Sequence, residues 1–454
     1  MRRPHPVEVR NGSTLGEFNV AAPVQGSRSI GRWVILVVMS ALYFFVYFHR
    51  ISPAVLAVDL KRAFHIDTAA LSFLSSAYFY LYAALQIPVG ILTDTWGPRK
   101  VATASTGLAF IGSLLFALAP NFATATFARL LVGAGVSGVY VPTLKVMGNW
   151  FSGRHFATIT GMVIAAGNLG GLVATSPLVW ATDHWGWRNV LLAISGVTLV
   201  LGLLCWLLVR DEPARAGRRP GEPVEWRGYL RLASRALQNR SLWKVGVCGF
   251  GKYGPLMAYQ GLWGAMFLMS VYGLTKVAAG NVLMVISIGY AAGGPLLGFL
   301  SDRVFHSRRL ILATGVTSFA LAWLPLIFRP GNLNVWELYL ISLVMGIAGG
   351  GTGVLIFSMA KEAVEPELSG MAIAAVNTAS FAAVVLFQPL TGWIIAHSQK
   401  VAAQPIASYR TALLVCALGS AIAAFTAWLV PEHLAAPKTA VNPGPRRNQA
   451  AMGS

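Results

Sequence analysis

Charged residues are scarce in this sequence, and acidic ones are the scarcest. Asp, Glu, Lys and Arg make up only 11% of the 454 residues, and just 16 of these are Asp or Glu. Soluble proteins carry about 25% charged residues. Hydrophobic residues make up 56% and recur in long runs. This combination excludes an ordinary soluble domain and predicts an all-α polytopic membrane protein embedded in a lipid bilayer.

Residues suited to metal binding or covalent catalysis are also few. The three cysteines, Cys205, Cys248 and Cys416, fall inside apolar runs without metal-ligand spacing, so we interpret them as packing residues. The eight histidines are scattered, and no nucleophile triad or phosphate-binding loop is evident. We therefore expect no metal site, no cofactor and no enzymatic activity.

Positive charge is in excess, with a formal net charge of +19. Nucleic-acid binding would be one explanation. However, most of the 35 Lys and Arg lie between apolar runs, on one side of the predicted membrane. That asymmetry is typical of membrane topology and not of a DNA-binding face. It predicts that both termini are cytoplasmic and that nucleic acid is not a partner.

Twelve apolar runs are long enough to cross a bilayer, which takes about 20 mostly apolar residues. They lie at about 33–57, 70–93, 101–119, 122–148, 157–181 and 189–209, and then at about 242–270, 276–301, 309–328, 335–360, 370–395 and 411–430. The predicted domains are an N-terminal tail (1–32), a six-helix bundle (33–209), a polar linker (210–241), a second six-helix bundle (242–430) and a C-terminal tail (431–454). The N-terminal tail lacks the pattern of a cleavable signal peptide.

The two bundles repeat parts of their sequence. Gly-Met-Val-Ile-Ala-Ala-Gly-Asn at 161–168 recurs as Gly-Met-Ala-Ile-Ala-Ala-Val-Asn at 370–377. Gly90, at the end of the second span, recurs as Gly298 at the end of the eighth, at nearly the same spacing. The matches predict two pseudo-symmetric halves. Such halves are a transporter architecture with the substrate site between them near the middle of the membrane.

Four basic residues, Arg50, Arg129, Lys145 and Lys252, lie inside the predicted spans. An unpaired arginine in hydrocarbon costs about 2.5–3.5 kcal/mol on insertion scales. All the acidic residues lie in loops, tails or near span ends, so no buried ion pair is expected. We expect instead a polar cavity whose surplus positive charge an anionic substrate neutralises.

Polar side chains form stripes beside these cations. Tyr43, Tyr47 and Arg50 are spaced i, i+4 and i+7, on one face of the first span. Stripes of this kind would be costly against lipid, so we expect them to line the cavity, where hydroxyls and amides orient a substrate. The predicted substrate-binding residues are Arg50, Lys252, Tyr47, Tyr43, Tyr82, Tyr259, Gln260, Asn377 and Lys145.

Three motifs resemble those of the major facilitator superfamily. Gly90-Ile-Leu-Thr-Asp-Thr-Trp-Gly-Pro-Arg-Lys100 resembles its cytoplasmic loop signature, and Gly298-Phe-Leu-Ser-Asp-Arg303 the degenerate second copy. Arg129-Leu-Leu-Val-Gly-Ala-Gly135 resembles its fourth-helix motif. The resemblance covers about 33–430. It implies an alternating-access carrier in a membrane such as the bacterial inner (plasma) membrane, and we expect a monomer.

The loop signature also has a direct physical interpretation. Gly90 would let two helices approach closely, Gly97 would permit a tight turn, and Asp94 could accept hydrogen bonds from the N-terminus of a neighbouring helix. Such a charge cluster could latch one conformation and open in the other, and a solvated loop is the alternative. The predicted latch residues are Gly90, Asp94, Gly97, Arg99, Lys100, Gly298, Asp302, Arg303 and Arg308.

Arg50 and the run Lys252-Tyr253-Gly254 resemble the paired cations of the superfamily's organophosphate and organic-anion branches. Lys252 stands where phosphate exchangers usually carry arginine, which favours a carboxylate over a phosphate ester. The resemblance therefore implies a small organic anion, such as a carboxylate or a sugar acid, as the substrate.

The segment 129–150 resembles the anion:cation symporter branch and places Lys145 where a basic residue occurs there. Val136 and His49 stand where proton-coupled members carry carboxylates. His49 is then the candidate for proton coupling because its pKa lies near neutrality in water, and a buried, merely hydrogen-bonded histidine is the alternative. The coupling ion is left open between H+ and Na+.

The leading expectation is a carrier that imports a small organic anion. One alternative is an efflux carrier for drugs or metabolites, although such carriers usually place an acidic residue in the cavity. Another alternative, from a different class, is an anion-binding membrane sensor that binds its ligand without transporting it. Counterflow discriminates these, because a sensor binds an anion but does not exchange it.

Overall fold

The structure, a computed structural model, describes residues 28–151, 153–211, 238–364, 369–401 and 405–432. The predicted tails up to residue 27 and from residue 433, and linker residues 212–237, lie outside the described residues. Within these ranges the chain is nearly all helical, and none of the described residues forms a strand. This confirms the predicted all-α fold class.

Six helices make up the N-terminal half, and three of them are broken once. In order they are α1 (Arg28–Phe64), α2 (Thr68–Ala84 and Gln86–Thr95), α3 (Pro98–Leu118), α4 (Phe122–Ser137 and Tyr140–Trp150), α5 (Gly153–Val173 and Ser176–Trp185) and α6 (Trp187–Leu208). The breaks in α2 and α5 bend these helices by 44° and 46°.

Six more helices make up the C-terminal half. They are α7 (Arg240–Ala258, a π-helical turn Tyr259–Trp263, and Gly264–Tyr272), α8 (Lys276–Phe299 with a π-helical turn Leu300–Val304), α9 (Arg308–Leu321 and Trp323–Phe328), α10 (Val335–Glu362), α11 (Ser369–Val401) and α12 (Pro405–Trp428). Polar side chains determine where several of these begin. Asn334 and Glu337, for example, form a reciprocal capping box at the start of α10.

Length and hydropathy identify most of these helices as membrane spans. Within the described ranges, nine helices are long and apolar enough to cross a bilayer, and the two bent helices α2 and α5 raise the number to eleven. The twelfth is α7, which a π-helical turn interrupts and which carries Arg240, Lys244 and Lys252. The prediction of twelve spanning helices is therefore confirmed.

In both halves a glycine allows corresponding helices to pack closely. In the N-terminal half, a Cβ atom on Gly133 of α4 would lie 2.0 Å from the carbonyl oxygen of Tyr78 in α2. In the C-terminal half, a Cβ atom on Gly350 of α10 would lie 2.0 Å from the carbonyl oxygen of Tyr290 in α8. A larger side chain would clash with backbone at either crossing, so only glycine fits there.

The bundle has two ends that differ in how the halves meet. We call the end that carries residues 211 and 238 the linker end, and the end that carries the α1–α2 and α7–α8 connections the distal end. At the distal end, Lys276 at the start of α8 pairs with Asp59 of α1 and Asp183 of α5 at 3.0 and 2.9 Å. Ser176 of α5 also donates to Asn281 of α8 at 2.5 Å. The halves are thus closed together at the distal end.

Candidate functional site

Arg50 lies in α1 at the boundary between the halves and is only 4% exposed. Its Nη1 donates a hydrogen bond of 3.0 Å to Tyr253 Oη of α7, in the other half. The centre of the guanidinium lies 4.5 Å from the centroid of the Tyr47 ring, 5.4 Å from that of Tyr82 and 5.2 Å from that of Phe381. These rings favour the cation by cation–π attraction, but its Nε is buried without a hydrogen-bond acceptor among the described residues.

Lys252 lies in α7 and is 3% exposed. Its Nζ donates a hydrogen bond of 2.8 Å to the carbonyl oxygen of Gly349 in α10. A carbonyl oxygen offers only partial negative charge, so this contact orients the ammonium group without neutralising it.

Arg50 and Lys252 line one cavity between the halves, with about 880 Å³ of empty space. Four other predicted binding residues line the same cavity, namely Tyr43, Tyr47, Tyr82 and Asn377. Along α10 the lining continues to Phe357, near the linker end. The cavity therefore extends from the cations toward the linker end, opposite to the distal closure.

A smaller polar pocket lies beside Arg50, with about 340 Å³ of empty space, and Asn168 of α5 contributes to its lining. Gln260 of α7 lines this pocket and donates to Ser287 Oγ at 2.9 Å and to the carbonyl oxygen of Leu283 at 3.3 Å. Arg50, Tyr47 and Tyr253 line both spaces. The guanidinium therefore lies between the cavity, which Lys252 also lines, and the pocket, which amide and hydroxyl side chains line.

The buried charge is of one sign. Among the residues whose side chains the structure describes, the buried charged ones are Arg50, Arg129 and Lys252, and no Asp or Glu is buried. Two of these three cations line the cavity. A bound anion would supply the counter-charge that these described side chains do not supply.

Tyr259 is a correction to the predicted set, because it does not line either space. It is buried against Trp263 and Trp323 in the core of the C-terminal half, with ring centroids 5.3 and 5.6 Å away. The cavity face of α7 is centred on Tyr253 and Gln260, spaced i and i+7. Tyr259 lies about 100° around the helix from Gln260 and therefore points away from this face. Lys252 lies at a similar angle from Tyr253, but its longer side chain still reaches the cavity.

Lys145 is a second correction. Its Nζ donates to the carbonyl oxygen of Thr93 in α2 at 3.1 Å, which places it near the linker end and outside the lining of the two spaces. Only 11 residues of α4 follow the break at Gly138, so Lys145 lies close to the end of that helix.

Arg129 and His49 lie together behind the cavity wall. Arg129 is 1% exposed, and its Nη1 donates to the carbonyl oxygen of His49 at 3.0 Å. The His49 ring packs against Phe45 and Phe48, and its Nε2 is buried without a partner among the described atoms. Neither side chain lines the two spaces beside Arg50.

Known proteins resemble this chain over most of its length. The sequence profile of the Major Facilitator Superfamily matches residues 35–259 and 255–451. The chain belongs to the major facilitator superfamily.

Relatives within the superfamily include organic-acid transporters. The probable sulfoacetate transporter SauU of Cupriavidus necator is 25% identical over 63% of this chain and 69% of its own length. The probable galactarate/D-glucarate transporter GarP of Escherichia coli is 22% identical over 85% of this chain and 94% of its own length. A crystal structure of a bacterial homologue of the human lysosomal transporter Spinster, inward-facing and unoccupied, covers 89% of this chain and 98% of its own, with a TM-score of 0.71 at 17% identity.

The superfamily's loop signature lies at the linker end. Gly97 has φ +92°, and a Cβ atom there would lie 2.6 Å from a carboxylate oxygen of Asp211. Asp211 Oδ1 accepts a 2.6 Å hydrogen bond from the backbone N–H of Arg99, and Arg99 packs over the Trp206 ring. The predicted tight turn at Gly97 is thus confirmed. Asp211, which the sequence argument did not select, accepts a hydrogen bond at the N-terminus of α3, and the side chain of Asp94 lies outside the described residues.

Two glycines of the predicted latch are corrections. A Cβ atom on Gly90 or Gly298 would meet nothing within 4 Å, so neither glycine permits a close helix approach in this conformation. Close packing occurs instead at other glycines, such as Gly133 and Gly350.

The charged latch residues at the end of α8 form contacts within one half. Arg308 pairs with Asp302 at 3.4 Å and with Glu362 at the end of α10. Arg303 and Lys100 are exposed. More than a third of the Arg308 side chain is exposed, so each pair contributes about 0–1 kcal/mol. In this conformation the two ion pairs of Arg308 therefore connect helices of the C-terminal half only.

The predicted set lacked several cavity residues, and among them are Tyr253, Tyr290 and Phe381. The sequence repeat held a signal for one of them, because the spacing that relates Gly90 to Gly298 also relates Tyr82 to Tyr290. Phe381 carries no such signal, since an apolar residue in an apolar helix is unremarkable in sequence.

Proposed function

We propose that this protein is a secondary active transporter that carries a small organic anion across the membrane by alternating access, with uptake as its direction. The observation that carries the proposal is the pair of buried cations, Arg50 from one half and Lys252 from the other, on the wall of one cavity. A ligand that contacts both cations interacts with both halves. Its binding can therefore shift the equilibrium between their arrangements.

The chemistry of the cavity favours a carboxylate, a sugar acid or a related acid. The Arg50 guanidinium can hold a planar carboxylate by two parallel hydrogen bonds, and the ammonium of Lys252 can contact a second oxygen group. Tyrosine hydroxyls and the amides of Asn377 and Gln260 suit substrate hydroxyls. The probable sulfoacetate and galactarate/D-glucarate transporters among its relatives support this class, and a phosphate ester is a further option.

The proposed orientation places the linker end in the cytoplasm of a bacterium, with the protein in the inner membrane. The excess of Lys and Arg on that side supports it. The cavity then faces the cytoplasm in this structure, and the distal closure faces the outside. H+ or Na+ is the proposed coupling ion, with His49 as the candidate proton carrier, and the protein acts as a monomer.

Ligand-dependent thermal stability tests the proposal. A ligand that binds only the folded protein stabilises it by about 2.7 kcal/mol at one hundred times its Kd. We expect sulfoacetate, D-glucarate or galactarate to raise the Tm of the wild type, and we expect Arg50→Ala to lose that shift. Arg188→Met is the matched control. It removes an arginine that caps the carbonyls of Ala117 and Ala119 outside the cavity, so the shift should persist.

Counterflow in proteoliposomes tests transport itself. Liposomes loaded with the stabilising anion should accumulate its labelled form transiently, because a carrier exchanges substrate across the membrane. Binding without counterflow would support the sensor alternative. Stabilisation by organic cations alone, unaffected by Arg50→Ala, would support efflux and would contradict the proposal.

A further inference from the structure

The two helices that carry the cavity cations share a local pattern. Arg50 precedes Pro53 by three residues, Lys252 precedes Pro255 by three residues, and both prolines lie inside their helices. Proline has no N–H group, so the carbonyl four residues before it loses its helical hydrogen bond, and the ring also crowds that carbonyl. The carbonyl that loses its partner therefore belongs to the residue immediately before each cation.

In α1 this carbonyl belongs to His49, and Arg129 of α4 provides the replacement donor. The 3.0 Å hydrogen bond from Arg129 Nη1 is the described side-chain contact to that oxygen. The guanidinium also lies over the Tyr78 ring, 5.0 Å from its centroid. Tyr78 in turn donates to the carbonyl oxygen of Val46, one turn earlier in α1, at 3.1 Å. Helices α2 and α4 thus both hold the α1 backbone around Arg50.

In α7 the corresponding carbonyl belongs to Gly251, and the replacement donor is weaker. Ser420 Oγ of α12 lies 3.2 Å from the Gly251 oxygen, but it lies 2.8 Å from the Cys416 carbonyl oxygen as well. A hydroxyl has one proton, so it cannot donate fully to both oxygens. Trp323 Nε1 donates into the same hydroxyl at 3.2 Å, which holds the oxygen in place.

We propose that Arg129 is a positioning residue. By binding the His49 carbonyl that Pro53 leaves without a helical partner, it holds the α1 backbone beside Arg50 and so positions Arg50 in the cavity. Ser420 has the same role toward Lys252, with a smaller effect. This inference depends on the proposed function, because its consequence is measured as anion affinity.

A general packing role for Arg129 makes a different prediction. If the arginine only fills space in the N-terminal half, its loss should lower stability to the same extent whatever residue occupies position 53. If it replaces the missing hydrogen bond, Pro53→Ala should make it largely dispensable, because the N–H of the new alanine can reach the His49 carbonyl. A double-mutant cycle between positions 53 and 129 therefore separates the two roles.

The experiment measures the Kd of purified protein for sulfoacetate, D-glucarate and galactarate, together with the Tm without ligand. The variants are wild type, Arg129→Met, Arg129→Lys, Pro53→Ala and the double variant Pro53→Ala with Arg129→Met. We expect Arg129→Met to weaken binding about tenfold or more, the scale of a lost charge-assisted hydrogen bond, and Arg129→Lys to recover part of the loss. In the Pro53→Ala background the same substitution should change the Kd by less than about threefold.

Two further variants serve as comparison and control. Ser420→Ala should weaken binding less than Arg129→Met, because its proton is shared between two carbonyls. Arg188→Met should lower the Tm without changing the Kd, because its carbonyl contacts lie outside the cavity. If Arg129→Met does not fold, Arg129→Lys and the double variant still give the comparison.

The outcomes separate this inference from the proposed function. An equal loss of affinity in both backgrounds, or none in either, would overturn the positioning role of Arg129 while leaving the anion site intact. Unchanged affinity in Arg50→Ala would overturn the proposed function. If none of the three anions stabilises the wild type, both conclusions fail together.

Discussion

The tightest described approach between the halves predicts how the distal end can be forced open. Gly392 of α11 faces Ser72 of α2, and a Cβ atom at Gly392 would lie 1.6 Å from Ser72 Oγ and 2.3 Å from Ser72 Cβ. Ser72 Oγ is held by a 2.6 Å hydrogen bond to the carbonyl oxygen of Thr68. Rotating the hydroxyl away would remove the first clash but not the second, since Cβ is fixed to the backbone.

The size of the effect follows from that second distance. An ordinary Cβ contact is no closer than 3.4 Å, so Gly392→Ala requires α2 and α11 to separate by about 1 Å. Overpacking of this kind costs about 1–3 kcal/mol. The cost applies only where the distal ends are in contact, so the substitution should shift the population toward a distal-open state by about 5- to 150-fold.

Distances between spin labels across the distal end measure this shift. Arg62, in the last turn of α1, and Asn332, between α9 and α10, are both exposed and lie on opposite halves. Cysteines introduced there can be labelled selectively, because the native Cys205, Cys248 and Cys416 are buried. The wild type should give one short distance, and Gly392→Ala should add a longer one.

Two variants make the result specific. Gly107→Ala places the same methyl group where a Cβ atom meets nothing within 4 Å, so its distance distribution should match the wild type. Ser72→Gly combined with Gly392→Ala removes the clashing Cβ and should restore the short distance. A wild-type distribution in Gly392→Ala, or a failure of Ser72→Gly to restore it, would refute the argument.

Three further predictions concern the ion pairs and hydrogen bonds around the site. Lys276→Gln removes both distal ion pairs and should destabilise the distal-closed state by about 1 kcal/mol, which increases the fraction of molecules with the longer spin-label distance. This difference from the wild type should decrease in 1 M salt, which screens the ion pairs. Tyr253→Phe removes the hydroxyl bonded to Arg50 and should weaken anion binding about two- to tenfold in a direct Kd measurement. Asp211→Ala removes the acceptor of the Arg99 backbone N–H at the start of α3 and should lower the Tm by the equivalent of about 0.5–2 kcal/mol without changing the anion Kd.

Hydropathy and charge placement were sufficient to predict the architecture. A charge inside an apolar run is costly, so it is expected only where other groups satisfy it. Arg50 and Lys252 do line the cavity, whereas Arg129 and Lys145 donate to backbone carbonyls outside it. The sequence repeat also indicated two related halves, and it places Tyr82 and Tyr290 at equivalent positions in them. These properties are visible in sequence because they are local or periodic.

The remaining features depend on how helices pack in three dimensions. Tyr259 is one residue from Gln260, and only the rotation of α7 about its axis decides which of them faces the pocket beside Arg50. Asp211 accepts a hydrogen bond from Arg99 more than one hundred positions earlier, an interaction that no local pattern shows. A glycine such as Gly90 looks like a packing residue in sequence, but the structure leaves open space beside it.

The hydrogen bond between Arg50 and Tyr253 connects the two halves at the cation itself. If the distal end opens in the proposed cycle, α1 and α7 separate and Arg50 loses the Tyr253 hydroxyl at 3.0 Å. Its Nε already lacks a described acceptor in the present arrangement, so the guanidinium would then depend on water or on an incoming anion. A ligand shifts an equilibrium only by its difference in affinity for the two states. Tyr253 orients Arg50 in one state and not in the other, so the two states differ in their affinity for the anion, and this difference is one physical source of coupling between binding and movement.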